Sequence, residues 1–135
     1  MRERMKAIEV TAAILWKEGQ VLIGERPVED GLAHKWEFPG GKIEEGETPE
    51  ECLKREIREE LGIIVEVKDF FAESVYVYPK GVIRLLAYFI QWETGDLSPM
   101  VHKEIKWVAI HDLLNYDLAP ADIPIAQKLV LWAQS

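Results

Sequence analysis

Thr48-Pro49-Glu50-Glu51 carries the start signals of a helix, and Gly62 carries its stop. Thr48 can accept a bond from the backbone as N-cap, and Pro49 suits the first helical position. Glu51 completes a Thr-x-x-Glu capping box. A glycine after Leu61 lets the chain turn out of the helix. Leu53, Ile57 and Leu61 recur at i, i+4 and i+8, so one stripe should face a sheet. Apolar, β-type segments surround this helix, at 8–16, 21–23, 36–38, 63–68, 70–78, 82–92 and 105–110. Lys17-Glu18-Gly19-Gln20 and Pro79-Lys80-Gly81 read as hairpin turns, and 27–35 as a loop broken by Pro27, Asp30 and Gly31. A short helical turn is expected at His111 to Leu114. Ile125, Leu129 and Trp132 mark a final amphipathic helix from Pro124. Strands dominate, so the expected fold class is α+β: a mixed central sheet covered by helices.

A chain of 135 residues is one ordinary domain and should bury roughly two thirds of its unfolded surface. We expect a single domain over 1–135. The balance of 24 acidic to 16 basic residues gives a net charge of −8. That argues against coating a nucleic-acid polymer or an anionic membrane. If the substrate is an anion, a cation must intervene. Cys52 is the only cysteine, which excludes an intramolecular disulfide and a cysteine-based zinc site. It fits a reducing cytoplasm, the expected location. No stretch approaches the ~18 apolar residues of a membrane span. Met1-Arg2-Glu3-Arg4-Met5-Lys6 lacks an apolar run, so no secretory signal is expected.

Glu56, Glu59 and Glu60 stand at i, i+3 and i+4 on the helix, within an arc of about 100° beside the apolar stripe. Like charges so placed cost a few tenths of a kcal/mol per pair, and more where partly desolvated. A hard divalent cation removes that cost, and magnesium takes oxygen ligands while keeping waters and substrate phosphates. The helix alone equally supports a solvated acidic face balanced by Arg55 and Arg58. Upstream, Pro39-Gly40-Gly41-Lys42 lies between a strand and the helix. Such a turn lets backbone amides and carbonyls approach a metal or phosphate, and Lys42 adds a point charge.

Together these residues resemble the Nudix box, Gly-x5-Glu-x7-Arg-Glu-U-x-Glu-Glu-x-Gly-U, with U aliphatic. Gly41, Glu47, Arg55, Glu56, Ile57, Glu59, Glu60, Gly62 and Ile63 fill all of its fixed positions. A chance match is on the order of 10⁻⁹ per starting position at average residue usage. The resemblance implies a Nudix-type α/β/α sandwich and a hydrolase of nucleoside diphosphates linked to a further group. It implies Mg²⁺ (or Mn²⁺) held by Glu59, Glu60, Glu56 and the Gly40 carbonyl, with Glu56 a further ligand or the base. It also implies that Arg55 orients Glu56 and Glu47 braces the loop, with Gly41 and Gly62 structural. A bound metal would neutralise phosphate charge and lower the pKa of a water, and a carboxylate in reach would take its proton.

Two further stretches narrow the resemblance to the MutT-type, nucleotide-sanitising branch. One is Trp36-Glu37-Phe38-Pro39-Gly40-Gly41-Lys42-Ile43-Glu44, and the other Gly46-Glu47-Thr48-Pro49-Glu50. Leu118-Ala119-Pro120-Ala121-Asp122-Ile123-Pro124 is similar to that branch's base-recognition segment. MutT enzymes have Asn where Asp122 stands, and the related CTP pyrophosphohydrolase group has Asp. By position, Asp122, Phe38, Ile8 and Val10 would bind the base. Arg26 would contact the substrate and Lys42 its phosphates. A carboxylate accepts from an exocyclic amine such as cytosine N4, and a protonated one also donates. The bland alternatives are an N-cap for Asp122, core packing for Ile8 and Val10, and a surface arginine for Arg26.

Many MutT-type enzymes carry a further Glu several residues before the tryptophan matched by Trp107. That position falls here on Val101 or His102, so either Glu104 is the catalytic carboxylate from a shifted loop or the fourth carboxylate is missing. His34, His102 and His111 show no metal spacing and are read as surface or structural, and Trp92 and Trp107 as core. The expected activity is a pyrophosphohydrolase converting a (d)NTP to the monophosphate and pyrophosphate, clearing 8-oxo-dGTP or (d)CTP-type nucleotides. Alternatives are a nucleoside diphosphate sugar, a dinucleoside polyphosphate or an RNA 5′ end as substrate, or a nucleotide-sensing module. The expected partner is a small-molecule nucleotide, with no nucleic-acid polymer and no membrane. The protein would be a monomer or homodimer.

Overall fold

A computed structural model describes residues 7–27, 34–79 and 81–135. The N-terminal reading at Met1–Lys6 and the breakers Asp30 and Gly31 lie outside these described residues, as does Lys80. The elements are β1 (Ala7–Lys17), β2 (Gln20–Glu25), β3 (Trp36–Glu37), α1 (Pro49–Leu61), β4 (Ile64–Tyr78), β5 (Gly81–Thr94), β6 (Glu104–Ala109) and α2 (Ile123–Gln134). A 3₁₀ helix, Ile110–Asn115, stands where the short turn is expected.

The helix signals act as their chemistry dictates. The Thr48 hydroxyl accepts from Glu51 N–H, the Glu51 carboxylate accepts from Thr48 N–H, and Gly62 closes the helix at φ 72°. One expectation is corrected. Residues 63–68 and 70–78 are not two strands but the single β4, whose register against β5 shifts between Val67 and Phe70 and again before Ala72. Bulges absorb the break in alternation that suggests a gap in the sequence.

The sheet runs β3-β2-β1-β5-β4, with β6 also paired to β2. β1 and β5 are parallel and the remaining pairs antiparallel, so the sheet is mixed. Alternation along β1 divides the core. Ala13 and Leu15 join Leu53, Ile57 and Leu61 of α1, while Ala12 and Ile14 join Ile125, Ala126 and Leu129 of α2. A helix therefore covers each face, the α/β/α sandwich of an α+β fold. Full burial of Leu53, Ile57 and Leu61 is worth about 1.5–3 kcal/mol each and fixes which face α1 turns inward. Trp92 and Trp107 pack partly buried against the α1-side core.

Candidate active site

A cavity of about 730 Å³ opens where the glycine turn, α1, β3 and the segments preceding β6 and α2 meet. Its lining divides by chemistry. Arg26, Glu37, Lys42, Glu56, Glu59, Glu60 and His102 supply charge and ligand atoms. Val10, Phe38, Ile83 and Leu85 supply an apolar wall, with Asp122 among them.

The glycine turn lies flat along β1. Thr11 N–H donates to the Gly41 carbonyl at 2.8 Å and Ala13 N–H to the Pro39 carbonyl at 2.7 Å. A Cβ on Gly40 would stand 2.0 Å from the Thr11 carbonyl oxygen, and one on Gly41 would stand 2.3 Å from Glu56 Cδ. Only glycine permits both approaches, and the second is what admits the Glu56 carboxylate beneath the turn.

Arg55 gathers the carboxylates at the start of the site. Its Nε and Nη2 donate to both oxygens of Glu47, at 2.6 and 3.0 Å. Nη1 donates to Glu56 at 2.8 Å and to Glu59 at 3.2 Å, and Nη2 reaches the Lys42 carbonyl at 3.3 Å. A planar fork with five donors makes such a clamp where an ammonium would not. Its hydrogen bonds pull the Glu47 carboxyl down to about 2. Burial lifts Glu56 above the ordinary carboxylate range, against the pull of Arg55. Glu60 is pushed up to about 9, by burial first and then by the charges of Glu37 and Glu56, although it accepts from Gly40 N–H at 3.1 Å.

Of the two readings given to the histidines, surface or structural, His102 does not take the first. Its side chain is 1% exposed, and Nε2 stands 3.0 Å from Glu37 Oε2 and 3.5 Å from Glu60 Oε1. Its Nδ1 has no hydrogen-bond partner among the described residues. The ligand atoms of Glu37, Glu60 and His102 lie within 4.8 Å of one another. Glu37 also accepts from Arg26 Nη1. Sequence reasoning missed both Glu37 and His102. The available signals were a charged residue just ahead of the glycine turn, and Gly24 directly after the apolar run 21–23, where a missing side chain permits a close approach. His34 and His111 are exposed, beside Glu25 and Asp112.

Glu104 is also corrected. Lys103 N–H donates to the Glu25 carbonyl, so pairing with β2 begins before Glu104 and sets it opposite Glu25. There it is exposed, 4.0 Å from Lys106, and outside the cavity lining. His102, just ahead of that ladder, turns inward instead.

Val10 lines the cavity but Ile8 does not. The Lys42–Ile43 backbone pairs with β1 at Val10 and Glu9, and Ile8 sits in a shallower cleft beside Ile43 and Glu47. Asp122 stands at the N-cap of α2, yet its side chain makes no capping bond. It accepts Phe38 N–H at 3.0 Å, and burial pushes it up to about 8, with the Glu37 charge adding to the rise. Near neutrality it can therefore donate as well as accept.

Residues 5–129 match the family model of the NUDIX domain. The chain is 39% identical over 126 residues to a protein of Escherichia coli (strain K12) named CTP pyrophosphohydrolase, covering 93% of each. It is 32% identical to the 8-oxo-dGTP diphosphatase of the same organism, covering 93% of this chain and 98% of the other. The solution structure of the E. coli ORF135 protein superposes with a TM-score of 0.85 at 37% identity, over 94% of this chain and 91% of that one.

Proposed function

The chain belongs to the Nudix family, and on that premise we propose that it hydrolyses free nucleoside triphosphates to the monophosphate and pyrophosphate. The enzyme is a nucleotide pyrophosphohydrolase, and the reading narrows its substrates to oxidised or modified nucleotides of the 8-oxo-dGTP or (d)CTP type. One observation carries this: a single cavity holds both the carboxylates of α1 and a buried, half-apolar niche around Asp122. A polyphosphate and a base of one molecule can be met at once. The names of the similar E. coli proteins support the same substrates.

The donor set fits a hard divalent cation. Four glutamates share the cavity lining, and the ionised form of Glu60 is disfavoured there by burial first and then by the charges of Glu37 and Glu56. Glu56, Glu59, Glu60 and the Gly40 carbonyl would hold Mg²⁺ or Mn²⁺, with Glu37 and His102 within reach of the same place. When bound, the ion would neutralise phosphate charge and acidify a water. Arg55 fixes the Glu56 carboxylate in one orientation, and Glu47 fixes Arg55. Glu56 would serve either as a further metal ligand or, partly desolvated, as the base that takes the proton of an attacking water. Lys42 and Arg26 line the path of the phosphates, and Phe38, Val10 and Asp122 take the base. The reaction acts on free nucleotides in the cytoplasm, without a nucleic-acid polymer, by a monomer or homodimer.

The test is a panel of (d)NTPs with Mg²⁺ in ¹⁸O water, products separated. Attack on the β-phosphorus puts the label in pyrophosphate. Label in the nucleoside monophosphate would move the attack to the α-phosphorus, whereas inorganic phosphate in place of pyrophosphate, or no turnover of any free nucleotide, overturns the reading.

A further inference from the structure

Two tyrosines outside the set assigned above face the same cavity. Along β4, Ser74, Tyr76 and Tyr78 share one face of the sheet, while Val75 and Val77 take the other and are 59% and 61% exposed. The register sets Tyr76 opposite Ile83, and Tyr78 opposite Gly81, which offers no side chain to cover the ring. Ile83 and Leu85 continue this face toward the α2-side core, to which Phe38 and Ala121, the neighbour of Asp122, belong. Tyr76 and Tyr78 therefore stand on the apolar wall of the cavity, and both line it.

Their geometry is unlike that of the other ring pairs. The Tyr76 and Tyr78 rings are parallel within 10°, with centroids 6.4 Å apart. The other aromatic pairs among the described residues cross at 46° to 88°, the edge-on packing by which cores consume ring faces. The tyrosine pair lacks that edge-on arrangement. Tyr76 also stays 39% exposed on a cavity wall that is otherwise largely aliphatic.

We propose that Tyr76 and Tyr78 form a stacking wall for the nucleobase, supplying affinity for any base while Asp122 reads its polar edge. This rests on the reading above that the ligand is a nucleotide. Every base has a π-face, so stacking tolerates base identity. Hydrogen bonding at a single buried carboxyl does not. Discrimination and affinity are thus divided between β4 and the segment before α2.

Calorimetric binding of CMP and GMP, which carry a base but no phosphoanhydride to cleave, reads the wall without turnover. Inorganic tripolyphosphate, which has no base, is the reference ligand, with Mg²⁺ present throughout. The double variant Tyr76→Ala, Tyr78→Ala should weaken both monophosphates by roughly tenfold to a hundredfold. Tripolyphosphate should change by less than about twofold, and the double Phe variant should bind like the parent. Unchanged CMP and GMP binding overturns the proposal. So does an equal loss of tripolyphosphate, a loss confined to one base, or the same loss in the Phe variant. Absence of triphosphate turnover by the parent protein would instead sink the hydrolase reading and leave this one to the binding ratios.

Discussion

A Cβ on Gly24 would fall 2.5 Å from Cδ2 of His102, so the imidazole occupies the space of the missing side chain. Strand β2 and the segment before β6 are thereby keyed together at the rim of the site. Gly24→Ala must push the ring away from Glu37 and Glu60. We expect a loss of about 1–3 kcal/mol in stability, the usual cost of overpacking. In a double-mutant cycle by denaturant unfolding, Gly24→Ala should cost much less once His102 is Ala. Additive effects would show that the two residues do not share that space.

Glu59→Gln separates turnover from folding. Glu59 is 56% exposed at its side chain, and among the described residues it pairs with Arg55 at i,i+4. Such exposed pairs contribute about 0.3–0.5 kcal/mol, so the melting temperature should move by a few degrees at most. If Glu59 is a ligand, Mg²⁺-dependent kcat should fall at least about a hundredfold while circular dichroism stays that of the parent. Near-normal turnover of the variant refutes the role.

What the sequence discloses and what it withholds follow from the range of the forces involved. The capping box at Thr48 and the stop at Gly62 are local, and they mark α1 to the residue. Ala12 and Ala13 facing opposite layers follows from strand alternation. That Glu56, Glu59 and Glu60 all line one cavity follows from the helix repeat. Glu37 and His102 are 65 positions apart, and their meeting depends on where β6 joins β2, which no local pattern states. The ladder begins one step before Glu104 and thereby turns Glu104 out and leaves His102 in. Asp122 shows the same limit. Its place before Pro124 reads as a cap, yet its carboxylate is drawn off by Phe38 N–H, a partner 84 residues away.

Arg55→Lys tests the clamp. An ammonium cannot give two parallel bonds to Glu47 and still reach Glu56 and Glu59, so Glu56 loses its fixed orientation. We expect kcat to fall by about 10²-fold with KM nearly unchanged, since the lost interaction places a proton acceptor and binds no substrate. An equal fall through KM alone would place Arg55 on the nucleotide instead. Glu47, held down to about 2 by this partner, stabilises the fold above its ordinary pKa of 4.5 and loses that contribution as pH drops toward 2. In acid titration the Lys variant should therefore show a flatter stability curve between those values.

Asp122 gives the opposite slope. Its pKa stands at about 8 in the folded chain against 3.8 as a free group, because burial disfavours the charge. Between those values the folded state binds the extra proton, so stability must decline as pH rises through that window. The penalty is complete above about pH 8. Asp122→Asn removes the titration but keeps an acceptor for Phe38 N–H. Compared by denaturant unfolding in chelator from pH 5 to 9, the variant should lose less stability than the parent and overtake it at the alkaline end. The same substitution fixes one hydrogen-bonding pattern at the base edge, so ratios of kcat/KM among nucleotides should shift while tripolyphosphate binding holds. A parent curve parallel to that of the variant would mean that Asp122 is ionised throughout, and the donating role assigned to it at neutral pH would fall.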